Sequence, residues 1–213
     1  MNGLLTLVVV LMMQLLWWFG IHGPNVMGAV TSPFMTKMMA QNLALYQAGE
    51  GVTASGVFYT PGSQYSIISG PFGSGWFSPT GSGITMGLII AVMLFSKRDD
   101  FKAIAKLAIP CGIFNINEPI IFGIPMVMNP MFAVPFFLAP IACVCCGYLV
   151  QSLGLCPLFV IDVPWTTPVG LFGFLASSGN IMGAIWQAVI ILGVSTLIYT
   201  PFVIAANRQA EET

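Results

Sequence analysis

Residues 112–130 read GIFNINEPIIFGIPMVMNP, and Asn115, Asn117 and Glu118 stand together inside this apolar stretch. A charged side chain at the centre of a membrane-spanning helix costs about 2.5–3.5 kcal/mol on insertion scales, so such a residue faces a cavity or a partner. Proline follows Glu118 directly, which disfavours α conformation at Glu118 and suits the start of a new helix. Asn115 and Asn117 tolerate non-helical turns and supply both donors and acceptors. NINEP therefore reads as a helix break, the tip of a re-entrant hairpin, where Asn115 and Glu118 converge on one ligand. Broken backbone at membrane depth is tolerated only where protein or a water-filled cavity satisfies it, and substrate sites are built from such breaks. A carboxylate there can also hold a proton or a cation. The structural alternative has Glu118 capping a helix at the membrane interface.

Two other places hold reactive or sugar-compatible side chains. His22, in FGIHGPN, is the sole histidine, and its glycine and proline neighbours predict a close, irregular backbone. It is also the side chain closest to titrating at neutral pH. The alternative is an interfacial histidine without a role. Trp165 lies in VPWTTP beside Asp162, Thr166 and Thr167. An aromatic plate with neighbouring hydroxyls suits stacking on a sugar ring; interfacial anchoring is the competing reading, with Asp162 capping the following turn. Cys111, Cys143, Cys145, Cys146 and Cys156 sit in apolar surroundings and read as small buried hydrophobes rather than metal ligands or disulfides.

The elements that must position these residues are apolar throughout. The chain has 213 residues, 57% hydrophobic and 6% charged, against about 25% charged in a soluble domain. Mean hydropathy is +0.90, and so few charges cannot cover a soluble globule. The reading is an all-α integral membrane protein embedded in the lipid bilayer. The net charge of −1 offers no basic field for nucleic acid, and no nucleotide, metal or other cofactor motif is visible. Leu4–Phe19 is an apolar run ended by Trp17 and Trp18, and Val30–Leu45 is a moderately apolar helical segment. Residues 49–83, rich in Gly, Ser and Pro, predict an irregular connection, followed by apolar Ile84–Phe95. Lys97, Arg98, Lys102 and Lys106 gather most of the basic charge in residues 96–106, which predicts a cytoplasmic amphipathic helix. Residues 107–128 form the expected re-entrant hairpin. Met131–Val150, kinked at Pro135 and Pro140, and Ile181–Ala205 are further spans, with the polar tail assigned to the cytoplasm. The first apolar run begins almost at Met1 without a basic leader, so the chain reads as starting within a larger protein.

The stretch GIFNINEPIIFGIPMVMNP closely resembles the signature of the lactose/cellobiose/diacetylchitobiose group of phosphotransferase-system (PTS) enzyme IIC (EIIC) components. WWFGIHG (17–23) and PWTTP (164–168) resemble two further motifs of that family, in the same order. The resemblance covers essentially the whole chain. It implies a polytopic helical bundle with re-entrant hairpins, in the bacterial inner membrane, that carries a β-disaccharide inward. The sugar's 6-hydroxyl would then be phosphorylated by the phosphocysteine of enzyme IIB (EIIB), itself charged by enzyme IIA (EIIA). By motif, Glu118 hydrogen-bonds the attacking hydroxyl and acts as its base. His22 holds the same end of the sugar or the incoming phosphoryl group, while Asn115 and Asn117 bind the sugar and Trp165 packs against it with Thr166. No metal or cofactor is implied, and the membrane component is not itself phosphorylated. Family members are about twice this length, with about ten membrane helices, and are homodimers. Residues 1–213 thus correspond to the C-terminal, substrate-binding half, with five or six membrane segments. A proton- or cation-coupled secondary transporter, and a fragment inactive without its N-terminal half, are the alternatives.

Overall fold

The structure is a computed structural model that describes residues 3–211. Among the described residues, its regular structure is helical apart from one two-stranded hairpin. Helix α1 (Gly3–Trp18) buries Val9, Val10, Met13, Gln14 and Trp17. It turns sharply into α2 (Gly23–Gln47), which runs through Pro33. The turn depends on Gly23: a Cβ there would lie 1.9 Å from the Met13 carbonyl oxygen.

Residues 49–83, expected as an irregular connection, hold two regular pieces. Strands β1 (Val52–Thr53) and β2 (Gly56–Val57) pair antiparallel, and α3 (Gly70–Trp76) follows. The hairpin escapes sequence reading because its turn, Ala54–Ser55, lacks the usual Asn-Gly or Asp-Gly signal. Much of the segment is buried: Tyr65, Ile67, Ile68, Phe72, Trp76 and Phe77 join one of two apolar cores. Trp76 stacks on Phe159 there, with ring centroids 5.4 Å apart and planes 8° from parallel.

Helix α4 (Met86–Phe95) belongs to the second core, which later helices share through Phe101, Ile120, Phe132 and Tyr199. Helix α5 (Asp99–Ile113) crosses the boundary expected at residue 107, so the charged amphipathic segment and the first arm of the hairpin are one helix. Its buried stripe is Phe101, Ala105, Ala108 and Gly112, a helical period. The Arg98 guanidinium holds the Asp100 carboxyl below its ordinary range through two side-chain hydrogen bonds. After a four-residue break comes the single-turn helix α6 (Glu118–Gly123).

Helix α7 (Pro130–Ser152) runs unbroken through Pro135 and Pro140. Short α8 (Leu171–Ala176) and α9 (Ile181–Ala188) follow, then a π-helical segment at Val189–Val194 and α10 (Ser195–Glu211). Two stretches, Pro130–Ser152 and Ile181–Gln209, are long and apolar enough to cross a membrane. Helices α1 and α4, with 16 and 10 residues, are shorter. Of the five or six membrane segments expected, two among the described residues have the length of a full span; α1 and α4 are short because the apolar runs that form them, Leu4–Phe19 and Ile84–Phe95, are themselves short. At the far end, Asn207 accepts from the Lys97 N–H and donates to the Phe95 carbonyl, both at 2.9 Å. That places the last turns of α10 beside the basic loop.

The cysteines divide. Cys143 and Cys156 are buried, Cys111 and Cys146 are half-buried and Cys145 is exposed, all as free thiols. The expectation of burial holds for two of the five, because Cys145 lies on an outward-facing position of α7.

Candidate functional site

The break between α5 and α6 is closed by a local backbone device. The Ile116 N–H donates to the Cys111 carbonyl at 3.0 Å and the Asn115 N–H to the Gly112 carbonyl at 3.1 Å. Asn115 sits at φ +67°. These paired bonds around a left-handed residue are a Schellman ending, in which asparagine is the usual substitute for glycine.

The Asn115 side chain then bolts the break to two distant segments. Its Oδ1 accepts from the Thr80 N–H at 2.6 Å, and its Nδ2 donates to the Trp165 carbonyl at 2.5 Å and the Thr167 carbonyl at 2.9 Å. Asn117 is 4% exposed, and its Nδ2 donates to the Ser82 carbonyl at 2.7 Å. It packs so closely on Gly81, at φ +86°, that a Cβ there would lie 2.2 Å from Asn117 Cγ. The loop it grips is strained: the β-branched residues Thr80 and Ile84 both have positive φ. The Gln14 carboxamide, accepting from the Gly83 N–H, and the Tyr199 hydroxyl, donating to the Gly83 carbonyl, over-determine it at 2.8 Å each.

Glu118 is the first residue of α6, with Asn117 at the N-cap and Pro119 next. The placement suits an anion at a helix start, yet Glu118 also lines a cavity of about 880 Å³. The carboxylate is half-buried and has no hydrogen-bond or ion-pair partner among the described residues. The break thus commits both asparagines to backbone and leaves the glutamate free toward the cavity.

His22 lines the same cavity from the start of α2. Its Nδ1 accepts from the Asn25 N–H at 3.3 Å, capping the helix. With Nδ1 accepting, a neutral ring carries its proton on Nε2. Trp17, 5% exposed, holds the imidazole at a ring-centroid distance of 4.9 Å. Because His22 has both duties, two substitutions separate them. His22→Ala is expected to lose the cap, about 1 kcal/mol, along with the Nε2 donor. His22→Asn keeps a strong capping residue and loses only the donor. Thermal melting should be nearly unchanged in His22→Asn and lowered in His22→Ala; an equal loss in both variants would show that the cap is not what His22 contributes to stability.

Trp165 reaches the cavity and is 63% exposed, whereas its neighbour Thr166 does not line it. Both sit in a turn closed by the Thr167 N–H on the Pro164 carbonyl at 2.9 Å. Sequence reading missed the opposite wall: Thr31, Ser32 and Thr36 of α2, with Ser74 and Ser78 on and just after α3. The signal was hydroxyl residues on helices that had no assigned partner. Glu118 and Asp162 are the charged lining residues, and no lysine or arginine lines the cavity.

A clamped helix break lining a carboxylate-bearing, hydroxyl-walled cavity is the arrangement that transporters with discontinuous helices use. The chain belongs to the phosphotransferase-system EIIC family, whose model matches residues 1–140. It is 36% identical to the oligo-beta-mannoside-specific EIIC component of Bacillus subtilis, over 95% of this chain and 43% of that protein. It is also 36% identical to the cellobiose-specific EIIC component of Lactococcus lactis, over 96% of this chain and 43% of the relative. The lactose-specific EIICB component of Staphylococcus aureus is 34% identical over 88% of this chain and 31% of its own length. The crystal structure of ChbC, the IIC component of the N,N'-diacetylchitobiose-specific system, superposes with a TM-score of 0.86 at 34% identity, covering 97% of this chain and 46% of that one. The chain spans less than half the length of these relatives.

Proposed function

We propose that this chain forms the sugar-binding part of a phosphotransferase-system permease, taking a β-linked disaccharide for phosphorylation at its 6-hydroxyl. The observation that carries the reading is the free Glu118 carboxylate at a break whose asparagines are already bonded. A cavity of about 880 Å³ without a lysine or arginine suits a neutral polyol rather than an anion, and the hydroxyl wall with exposed Trp165 suits a pyranose. The relatives' names, for cellobiose, lactose, diacetylchitobiose and oligo-β-mannosides, support the same substrate class.

In the proposed step, the sugar's O6 attacks the phosphorus of the phosphocysteine on EIIB, which EIIA recharges. The new O–P bond forms as the S–P bond breaks, and the thiolate leaves with EIIB. Glu118 orients the hydroxyl and takes its proton, the role a carboxylate plays in positioning a nucleophile. The His22 Nε2–H donates to the developing charge on the phosphoryl oxygens. Trp165 supports the ring. Asn115 and Asn117 fix the backbone around Glu118, and the remaining lone pair of Asn115 Oδ1 is what that residue can offer a sugar hydroxyl. Thr166 acts through the loop that presents Trp165.

We place the protein as a multi-pass component of the bacterial inner membrane, with the 96–106 segment and the end of α10 on the cytoplasmic side, where EIIB approaches. The Asn207 bonds to residues 95 and 97 support a common side for both. A single cysteine at position 97, in a background with Cys145 and the other thiols replaced, should react with a membrane-impermeant maleimide only from the cytoplasmic face. Labelling from outside would reverse the orientation. Binding titrations with cellobiose, lactose and diacetylchitobiose test the substrate class.

A further inference from the structure

Asp162 is the second carboxylate of the cavity, and no hydrogen bond or ion pair engages it among the described residues. It does not cap the turn that follows: α8 starts at Leu171 behind Gly170. Its position is nonetheless built. Residues 156–160 are buried outside any helix or strand, pinned by the Leu158 N–H on the Val57 carbonyl at 2.7 Å and the Val160 N–H on the Ala176 carbonyl at 2.8 Å. This apolar segment emerges at Asp162 on the cavity wall. Beyond it, the Asn115 amide holds the Trp165 and Thr167 carbonyls. The loop bearing Asp162 and Trp165 is thereby bolted to the break bearing Glu118, so two carboxylates and an indole keep a fixed relation around one cavity. Asp162 is exposed on the cavity side, so its carboxylate stays hydrated and open to a ligand's hydroxyls.

A carboxylate accepts through two oxygens and matches two neighbouring hydroxyls of a pyranose, while an adjacent aromatic face takes the ring's C–H surface. We propose that Asp162 is a substrate-contacting, specificity-determining residue. It accepts hydrogen bonds from ring hydroxyls of the glycosyl unit that packs on Trp165, and so discriminates sugars by the presence of those hydroxyls. The proposal rests on the sugar-site reading above and adds to it a contact distinct from the Glu118–O6 contact.

The test measures disaccharide binding to the purified protein in detergent for wild type, Asp162→Asn, Asp162→Ala and Glu118→Gln, with the parent sugar and a set of its monodeoxy analogues. Charge-assisted bonds of this kind correspond to roughly a 10- to 100-fold loss of affinity. Both Asp162 variants should lose about that factor, with the sugar-free melting temperature unchanged because the side chain bonds to no protein group. In wild type, removing a contacted hydroxyl should cost a similar factor. In Asp162→Ala the same deoxy analogue should bind as well as the parent. Wild-type affinity and wild-type deoxy discrimination in both Asp162 variants would overturn the proposal while leaving the site reading intact. A lowered sugar-free melting temperature with unchanged affinity would overturn it in favour of a structural role. Failure of wild type to bind any of the β-disaccharides would overturn the site reading and this inference together.

Discussion

Replacing Glu118 by glutamine is expected to lower sugar phosphorylation by about 10²–10⁴-fold, the span over which a positioned general base acts, while weakening sugar binding by no more than about tenfold. The substitution is nearly isosteric at the first position of α6 and disturbs no recorded side-chain bond. The amide can still accept a hydrogen bond from the 6-hydroxyl, so the ground-state complex persists. It cannot take the proton that the hydroxyl loses as the O–P bond forms. The effect should therefore fall on the transfer step rather than on capture of the sugar. Binding and phosphotransfer are measured separately, the first by titration in detergent and the second with phosphorylated EIIB supplied. Near-wild-type phosphorylation by Glu118→Gln would show that the carboxylate is neither base nor orienting group. It would return Glu118 to the role of a helix-start residue.

Asn115→Ala should give the largest loss of stability at the site. It removes the acceptor of the Thr80 N–H and the donor of two carbonyls, at 2.6, 2.5 and 2.9 Å. Each such bond contributes a net of about 0.5–1.5 kcal/mol. It also leaves alanine at φ +67°, which costs roughly 1–2 kcal/mol for a residue with a Cβ and no local side-chain hydrogen bond. A total of about 3–5 kcal/mol is large beside the 5–15 kcal/mol that holds a typical domain together. Asn115→Gly separates the contributions, because glycine accepts the left-handed backbone and still lacks the amide. The expected order of melting temperature is wild type, then Gly, then Ala, with sugar binding and phosphotransfer falling together in both variants as the Trp165 loop comes loose. Wild-type melting in Asn115→Ala with a selective loss of affinity would mean that the amide serves the sugar directly.

Those two residues show where sequence reading reaches and where it stops. The break was legible because its signals are local: proline after Glu118, asparagines that tolerate αL, and a charge too costly for the middle of a span. The left-handed ending at Asn115 follows from the same local chemistry. The bonds from Asn115 to Thr80 and Trp165 span 35 and 50 residues, and no local pattern encodes them. They give Asn115 a clamping role that no local signal reveals, beside the sugar contact expected of it. Thr166 shows the opposite limit: adjacency groups it with Trp165, yet only Trp165 lines the cavity. The hydroxyl wall on and near α2 and α3 is hidden because its serines and threonines mix buried and exposed positions and carry no periodic signal. The apolar runs marked membrane segments, but the lengths of the helices depend on which glycines and prolines end a helix. Pro33, Pro135 and Pro140 do not end theirs, whereas the turn at residues 19–22 does.

The central claim, that Glu118 delivers a sugar hydroxyl to a phosphoryl donor, is tested most directly in sealed vesicles containing the protein. Labelled β-disaccharide is supplied on one side, and EIIB with its phosphodonor chain on the other. The account predicts 6-phosphorylated sugar on the EIIB side only when phosphorylated EIIB is present, and its loss in Glu118→Gln. Unmodified sugar accumulating without EIIB, driven by a proton or sodium gradient and abolished by Glu118→Gln, would contradict it and make Glu118 the site of a coupling ion.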